Sequence, residues 1–187
     1  MSAPEHPDWS DRRADARRNH ERVTAAALAI YAERGLEATV PEIAARAGVG
    51  KATVYRTFPA KTDLLDAIAR HHHTWLSERI ERAAGTGDAL DGLRDFLDDL
   101  SDRLAADRSF AEILPRTLDL HDRERASDVL AGLIRAAQRD GHLRADATVQ
   151  DIHVLVGGYA RVLLDLGIRD PAQWRRYAGL VLDALRG

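Results

Sequence analysis

A chain of 187 residues without cysteine is long enough for one or two modest cores, but offers neither a disulfide framework nor a thiolate metal site. Lys and Arg (27) nearly balance Asp and Glu (30) at a formal net charge of -3, so the overall charge selects no strongly acidic or basic partner. No apolar run approaches the roughly 18 residues of a membrane span and no signal-peptide core is visible, so a soluble, cytoplasmic protein that engages no membrane is expected.

Residues 1–11, with Pro4, Pro7 and mixed charges but no apolar period, are expected to form a disordered arm. A first helix follows, opened by Arg12, Arg13, Arg17 and Arg18. Two readings of these arginines stand: they track a phosphate backbone or minor groove, or they are a solvated helix start. The segment from Thr39 to Phe58 then encodes two short helices around a glycine-bearing turn. Thr39 and Glu42 have capping-box spacing, and Ile43 and Ala47 share one face. Gly48 can end that helix in the left-handed region, with Val49 as an apolar plug, and Gly50 opens the next. On the second helix Val54 and Phe58 fall on a buried side and Ala52, Thr53 and Arg56 opposite, flanked by Lys51, Tyr55 and Thr57. Small, hydroxyl and cationic groups presented by the second helix of a tight helix-turn-helix suit the major groove of DNA. From Asp11 to Lys61 ten basic residues face six acidic ones, a local positive excess in a chain that is acidic elsewhere.

Beyond Pro59 every segment has helical period. Asp63 to Ala84 is one long helix ending at Gly85, and Asp88 caps the next through Leu104. Ser109 with Glu112 has capping-box spacing and opens a short piece interrupted by Pro115. Asp122 to Gln138 stops at Gly141, and Thr148 to Leu166 and Pro171 to Leu185 complete the chain. No sustained period-two alternation is present, so the expected fold is all-α, with about nine helices. The consecutive histidines His71, His72 and His73 point about 100 degrees apart on a helix and cannot converge on one ion. No metal or cofactor is therefore expected, and one of the three, with Trp75, should face the interior. No nucleophile elbow, phosphate loop or His-Glu helix motif is present, which disfavours an enzyme.

The run from Arg17 to Leu65 resembles the DNA-binding domain of the TetR (tetracycline-repressor) family of bacterial transcriptional regulators. The matching residues are Arg22, Val23, Ala27, Tyr31 and Gly35, then Thr39, Val40, Glu42, Ile43, Ala44, Ala47, Gly48 and Val49, and finally Thr53, Val54, Tyr55, Phe58, Pro59, Lys61 and Leu64. Two departures are a segment from Gly35 to Thr39 that is one residue short of the usual pattern, and Pro41, which a first helical turn tolerates. The resemblance implies a DNA-binding domain over residues 12–62 and a ligand-binding and dimerisation domain over 63–187. Geometry and matching position together put Lys51, Ala52 and Arg56 on base edges, with Thr57 beside them. Thr39, Thr53, Tyr55 and Lys61 fall on phosphates.

The resemblance further implies a small-molecule pocket within the C-terminal helices, and Trp75, Phe96, Leu100, Phe110, Leu114, Leu118, His121 and Tyr159 are its candidate lining. Taken residue by residue, dry core is the preferred account of each, because helical stripes are mostly core. It also implies that the last two helices pair with a second copy. Ile152, Leu155, Val156, Tyr159, Val162, Leu163 and Leu166 cover more than one face of the first, and Trp174, Tyr177, Val181 and Leu185 form a stripe on the second. Gly157 and Gly158, at about 1 kcal/mol each against Ala in a helix interior, fit a close helix approach. The competing account is packing within one subunit. The expected function is a dimeric, ligand-responsive repressor on a palindromic double-stranded operator, released by a small-molecule effector. The alternative is an α-helical ligand carrier or interaction protein without DNA reading.

Overall fold

The structure, a computed structural model, describes residues 9–113 and 120–187. Among the described residues the chain forms nine α-helices, and a single isolated bridge between Leu143 and Arg186 is its only extended pairing. The helices are α1 (Trp9–Arg34), α2 (Val40–Ala47), α3 (Lys51–Thr57), α4 (Lys61–Ala84), α5 (Ala89–Ala106), α6 (Arg108–Ile113), α7 (Leu120–Arg139), α8 (Val149–Asp165) and α9 (Pro171–Ala184). A 3-10 turn, Gly35–Glu37, joins α1 to α2. Residues 1–8 of the expected arm lie outside the described residues. Trp9 to Asp11, assigned to the arm, already belong to α1.

Two hydrophobic cores organise the helices. In the first, Val23, Ala26, Ala27, Ile30 and Tyr31 recur at helical spacing along α1 and meet Ile43, Ala44 and Ala47 of α2, Val54 of α3 and Phe58. The second collects Leu93, Phe96 and Leu97 of α5, Phe110 of α6, Leu130 and Ile134 of α7, Ile152 and Leu163 of α8, and Trp174 of α9. Helix α4 serves both: Leu64, Ala67 and Ile68 pack in the first and Ile80 and Ala83 in the second. The boundary expected after residue 62 thus falls in the first turn of a continuous helix, whose next turns still belong to the N-terminal core.

Local chemistry sets most helix ends. The Asp88 carboxylate accepts from the Leu90 and Asp91 amides at 2.8 and 2.9 Å, and these bonds hold it below the usual carboxylate range. Thr148 and Asp151 form a reciprocal box, the Thr148 hydroxyl accepting from the Asp151 amide at 3.2 Å and the Asp151 carboxylate from the Thr148 amide at 2.8 Å. The α6 start differs from expectation. Asp107, not Ser109, opens it: Asp107 Oδ1 accepts from the Phe110 amide at 3.2 Å and from the Ser109 hydroxyl at 2.7 Å. Ser109 is therefore inside the first turn, and Glu112 reaches elsewhere.

Candidate nucleic-acid interface and pocket

The turn between α2 and α3 is held on three sides. Gly48 adopts φ 63°, ψ 37°, which lets the Val49 amide return to the Ala44 carbonyl at 3.0 Å. From α1, Arg22 Nη2 donates to the Ala47 and Gly48 carbonyls at 2.7 and 3.1 Å. Beneath α3, Val54 and Phe58 are buried, and the His20 ring lies 4.9 Å from that of Phe58. Arg22 matched the family pattern without an assigned role. Its bond across 25 residues of sequence ties the end of α2 to α1, beside the core the two helices share.

With α3 anchored in this way, Lys51, Ala52, Tyr55 and Arg56 are exposed on the opposite side, Tyr55 by 53% despite its ring. Arg56 Nη2 donates to Thr53 Oγ1 at 3.2 Å, which steadies the guanidinium over the same face. Three other expected DNA contacts have their side chains engaged. The Thr57 hydroxyl donates back to the Thr53 carbonyl at 2.8 Å, and the Thr39 hydroxyl donates to Glu42 Oε2 at 2.8 Å. Lys61 Nζ donates to the Leu36 carbonyl at 3.0 Å, tying α4 to the turn after α1. Upstream, Arg17 pairs with Glu21 at 3.7 Å and Arg18 with Asp15, all exposed, as in a solvated helix start.

In the second core a cavity of about 540 Å³ lies between α4, α5, α6, α7 and α8. Phe96, Leu100 and Phe110 line it as expected, joined by Leu76, Ile80, Leu104, Leu130, Ile152, Val156 and Leu164. Trp75 and Tyr159 do not line it. The Trp75 ring lies instead under the guanidinium groups of Arg79 and Arg103, at 5.3 and 5.6 Å, and nearly perpendicular to the Phe110 ring. Tyr159 turns toward α5 and α9, its hydroxyl 2.7 Å from Ser101 Oγ and its ring stacked on Tyr177. Leu114 and Leu118, and the side chain of His121, lie outside the described residues. The polar groups on the wall are His73, Glu112, Ser127, His153 and Arg161, none of which sequence periodicity singled out for the pocket.

Two of the three histidines are buried rather than one. His73 faces the cavity, and His72 enters a network behind it. Ser109 donates its proton to Asp107, so its oxygen accepts from His72 Nε2–H at 3.1 Å, leaving Nδ1 to face Arg103 Nη2 at 3.5 Å. That arrangement suits a neutral imidazole. Burial pushes the His72 pKa down to about 4, Arg103, His71 and His73 push the same way, and Asp107 opposes them.

Along α8 and α9 the expected partner-facing residues divide. Ile152, Val156, Leu163, Trp174, Val181 and Leu185 are buried in the chain's own core, and Tyr159 and Tyr177 are half-buried against it. Leu155, Val162 and Leu166 are exposed, and with them Val154 and Leu180, which the sequence reading left out. The apolar residues of α8 occupy two faces, and periodicity alone does not say which one the chain fills itself. Among the described residues no helix is long and apolar enough to cross a membrane.

Comparison with known proteins agrees at both ends of the chain. The family model for bacterial regulatory proteins of the tetR family matches residues 23–68, and that for the C-terminal domain of SbtR-like transcriptional regulators matches residues 88–187. Over 74 residues the chain is 42% identical to the HTH-type transcriptional repressor LfrR of Mycolicibacterium smegmatis, a match covering 40% of this chain and 39% of that one. The match thus spans about two fifths of this curated relative. Among solved structures, the TetR transcription regulatory protein from Mycobacterium vanbaalenii is 31% identical with a TM-score of 0.60, covering 94% of this chain and 99% of that one. A TetR transcriptional regulator from Streptomyces coelicolor is 27% identical with a TM-score of 0.62, covering 89% and 98%.

Proposed function

The chain belongs to the TetR family of bacterial transcriptional regulators, and from that premise we propose a homodimeric repressor that binds a palindromic operator and leaves it when a small molecule fills the C-terminal cavity. The observation that carries this is the face of α3: Lys51, Ala52, Tyr55 and Arg56 are exposed together on a helix whose other side is fixed by Val54 and Phe58. Lys51 and Arg56 match guanine edges, Ala52 a thymine methyl, and Tyr55 and Thr53 adjacent phosphates. Thr39 contributes its place at the start of α2, and Thr57 and Lys61 act by shaping the head. The head comprises α1 to α3 and the first turns of α4, and the remaining helices form the sensing and pairing unit.

Two heads are needed because half-sites recur about one helical turn apart. The exposed stripe of Leu155 and Val162 on α8 and Leu166 at its C-terminal end, with Leu180 on α9, is the pairing face. Gly158 and Gly179 have open space above them, so a partner helix can approach closely there. A mostly apolar cavity of about 540 Å³ with a few polar groups is of the size that takes a drug-like molecule. That LfrR is a repressor favours repression here. Titration of palindromes from the regulator's own upstream region, at several salt concentrations, tests the reading. Sequence-selective binding that weakens steeply with salt is expected, and binding indifferent to both sequence and salt would refute it.

A further inference from the structure

One residue both lines the cavity and, through its carboxylate, grips the head. Glu112, on α6, sits on the cavity wall, and its Oε2 accepts from the Leu36 amide at 2.8 Å across 76 residues of sequence. Its Oε1 accepts from Arg108 Nε at 3.0 Å. On the far side of the same residue, Lys61 Nζ donates to the Leu36 carbonyl at 3.0 Å. The peptide units flanking Leu36, in the turn that aims α2, are thus fastened from two directions.

The seat is shaped for this contact. Gly35 has φ 64°, and a Cβ placed there would lie 2.6 to 2.9 Å from the Glu112 carboxylate. Only glycine satisfies both the backbone and the approach. We propose that Glu112 is the positioning residue through which cavity occupancy reaches the head, an inference that rests on the ligand-responsive function above. A carboxylate offers about four lone-pair sites. An apolar ligand bearing an N–H or O–H donor, an amine above all, draws it into the cavity and takes the place of the Leu36 amide. The released turn no longer fixes α2 and α3 against the C-terminal core, and the spacing of the two heads loosens.

The test needs no identified ligand, because coupling is reciprocal. Operator affinity and amide hydrogen exchange are measured on the full-length protein, wild type, Glu112→Gln and Glu112→Ala, with the thermal midpoint as a control for folding. In the wild type, operator DNA is expected to slow exchange at Leu36 and at the α6 amides about threefold or more. In Glu112→Ala, Leu36 should exchange about tenfold faster without DNA, operator affinity should drop about tenfold, and DNA should no longer protect α6. Glu112→Gln keeps an acceptor oxygen and should recover Leu36 protection and most of the affinity. Unchanged α6 exchange in wild type on adding operator overturns the proposal, whatever the variants do. So does a Glu112→Ala protein with wild-type Leu36 exchange and affinity. If the wild type binds no operator at all, the repressor reading fails, while Leu36 exchange in the variants still decides whether Glu112 holds the turn.

Discussion

Arg56, on the reading helix, and Lys61, just after it, are both cationic, yet their surroundings give them different work. Arg56 is exposed on the outer face of α3, steadied by Thr53. Its replacement by Ala should cost about 1–3 kcal/mol of operator affinity and relax preference at one base position, as read by binding to a set of single-base operator variants. Lys61 spends its ammonium group on the Leu36 carbonyl. Lys61→Ala should therefore weaken all sequences alike, through the poise of the head and without any change of base preference. His72 makes a third residue-level prediction. Its folded pKa of about 4 lies below the ordinary 6.5, so its neutral form stabilises the fold fully above pH 6.5. As pH falls from 6.5 toward 4 the unfolded chain takes up the proton first, and on the order of 3 kcal/mol is lost. Urea unfolding at pH 7 and pH 4.5 should show this loss in the wild type and a flatter profile in His72→Gln, which can still donate to Ser109.

Elements whose ends depend on near neighbours were legible in the sequence, and contacts between elements were not. The α2–turn–α3 unit has its stop, plug and buried pair within 20 residues, and Asp88, Thr148 and Asp170 cap α5, α8 and α9 as their spacing indicates. At α6 the same spacing rule points to Ser109 with Glu112, but Asp107 stands two residues earlier and accepts from both the Phe110 amide and the Ser109 hydroxyl. Glu112 is thereby left to reach the turn after α1, and no local pattern reports a partner so distant. Trp75 and Tyr159 were misplaced for a related reason. A helical stripe shows that a ring points inward, but whether it meets a cavity, a guanidinium or another ring is decided by the facing helix. The turn itself offers a test. Gly35→Ala would put a Cβ on a left-handed backbone and against the Glu112 carboxylate. A left-handed non-glycine residue costs roughly 1–2 kcal/mol before any clash, so the variant should unfold at clearly lower urea.

At the scale of the whole molecule, α8 joins the two things a switchable dimer requires. Its inner side, through Ile152, Val156 and Leu164, forms one wall of the cavity, and its outer side carries Leu155 and Val162, with Leu166 just past its end. Under the ligand-responsive dimer proposed above, whatever fills the cavity presses on the back of that exposed face as well as on Glu112. Val162 and Leu166 are 55% and 67% exposed, so charging them removes almost nothing from the protomer's own core. Val162→Glu combined with Leu166→Glu should give a monomer that keeps the wild-type helical content, as seen by sedimentation and circular dichroism. Linked heads bind a palindrome with an advantage of roughly 100-fold or more over a single head, because the second contact becomes intramolecular. The double variant should lose that advantage, and its affinity should fall with salt about half as steeply, since half the phosphates are neutralised. A variant that remains dimeric would place the pairing face elsewhere. One that is monomeric yet keeps the wild-type salt slope would mean that a single head makes all the phosphate contacts.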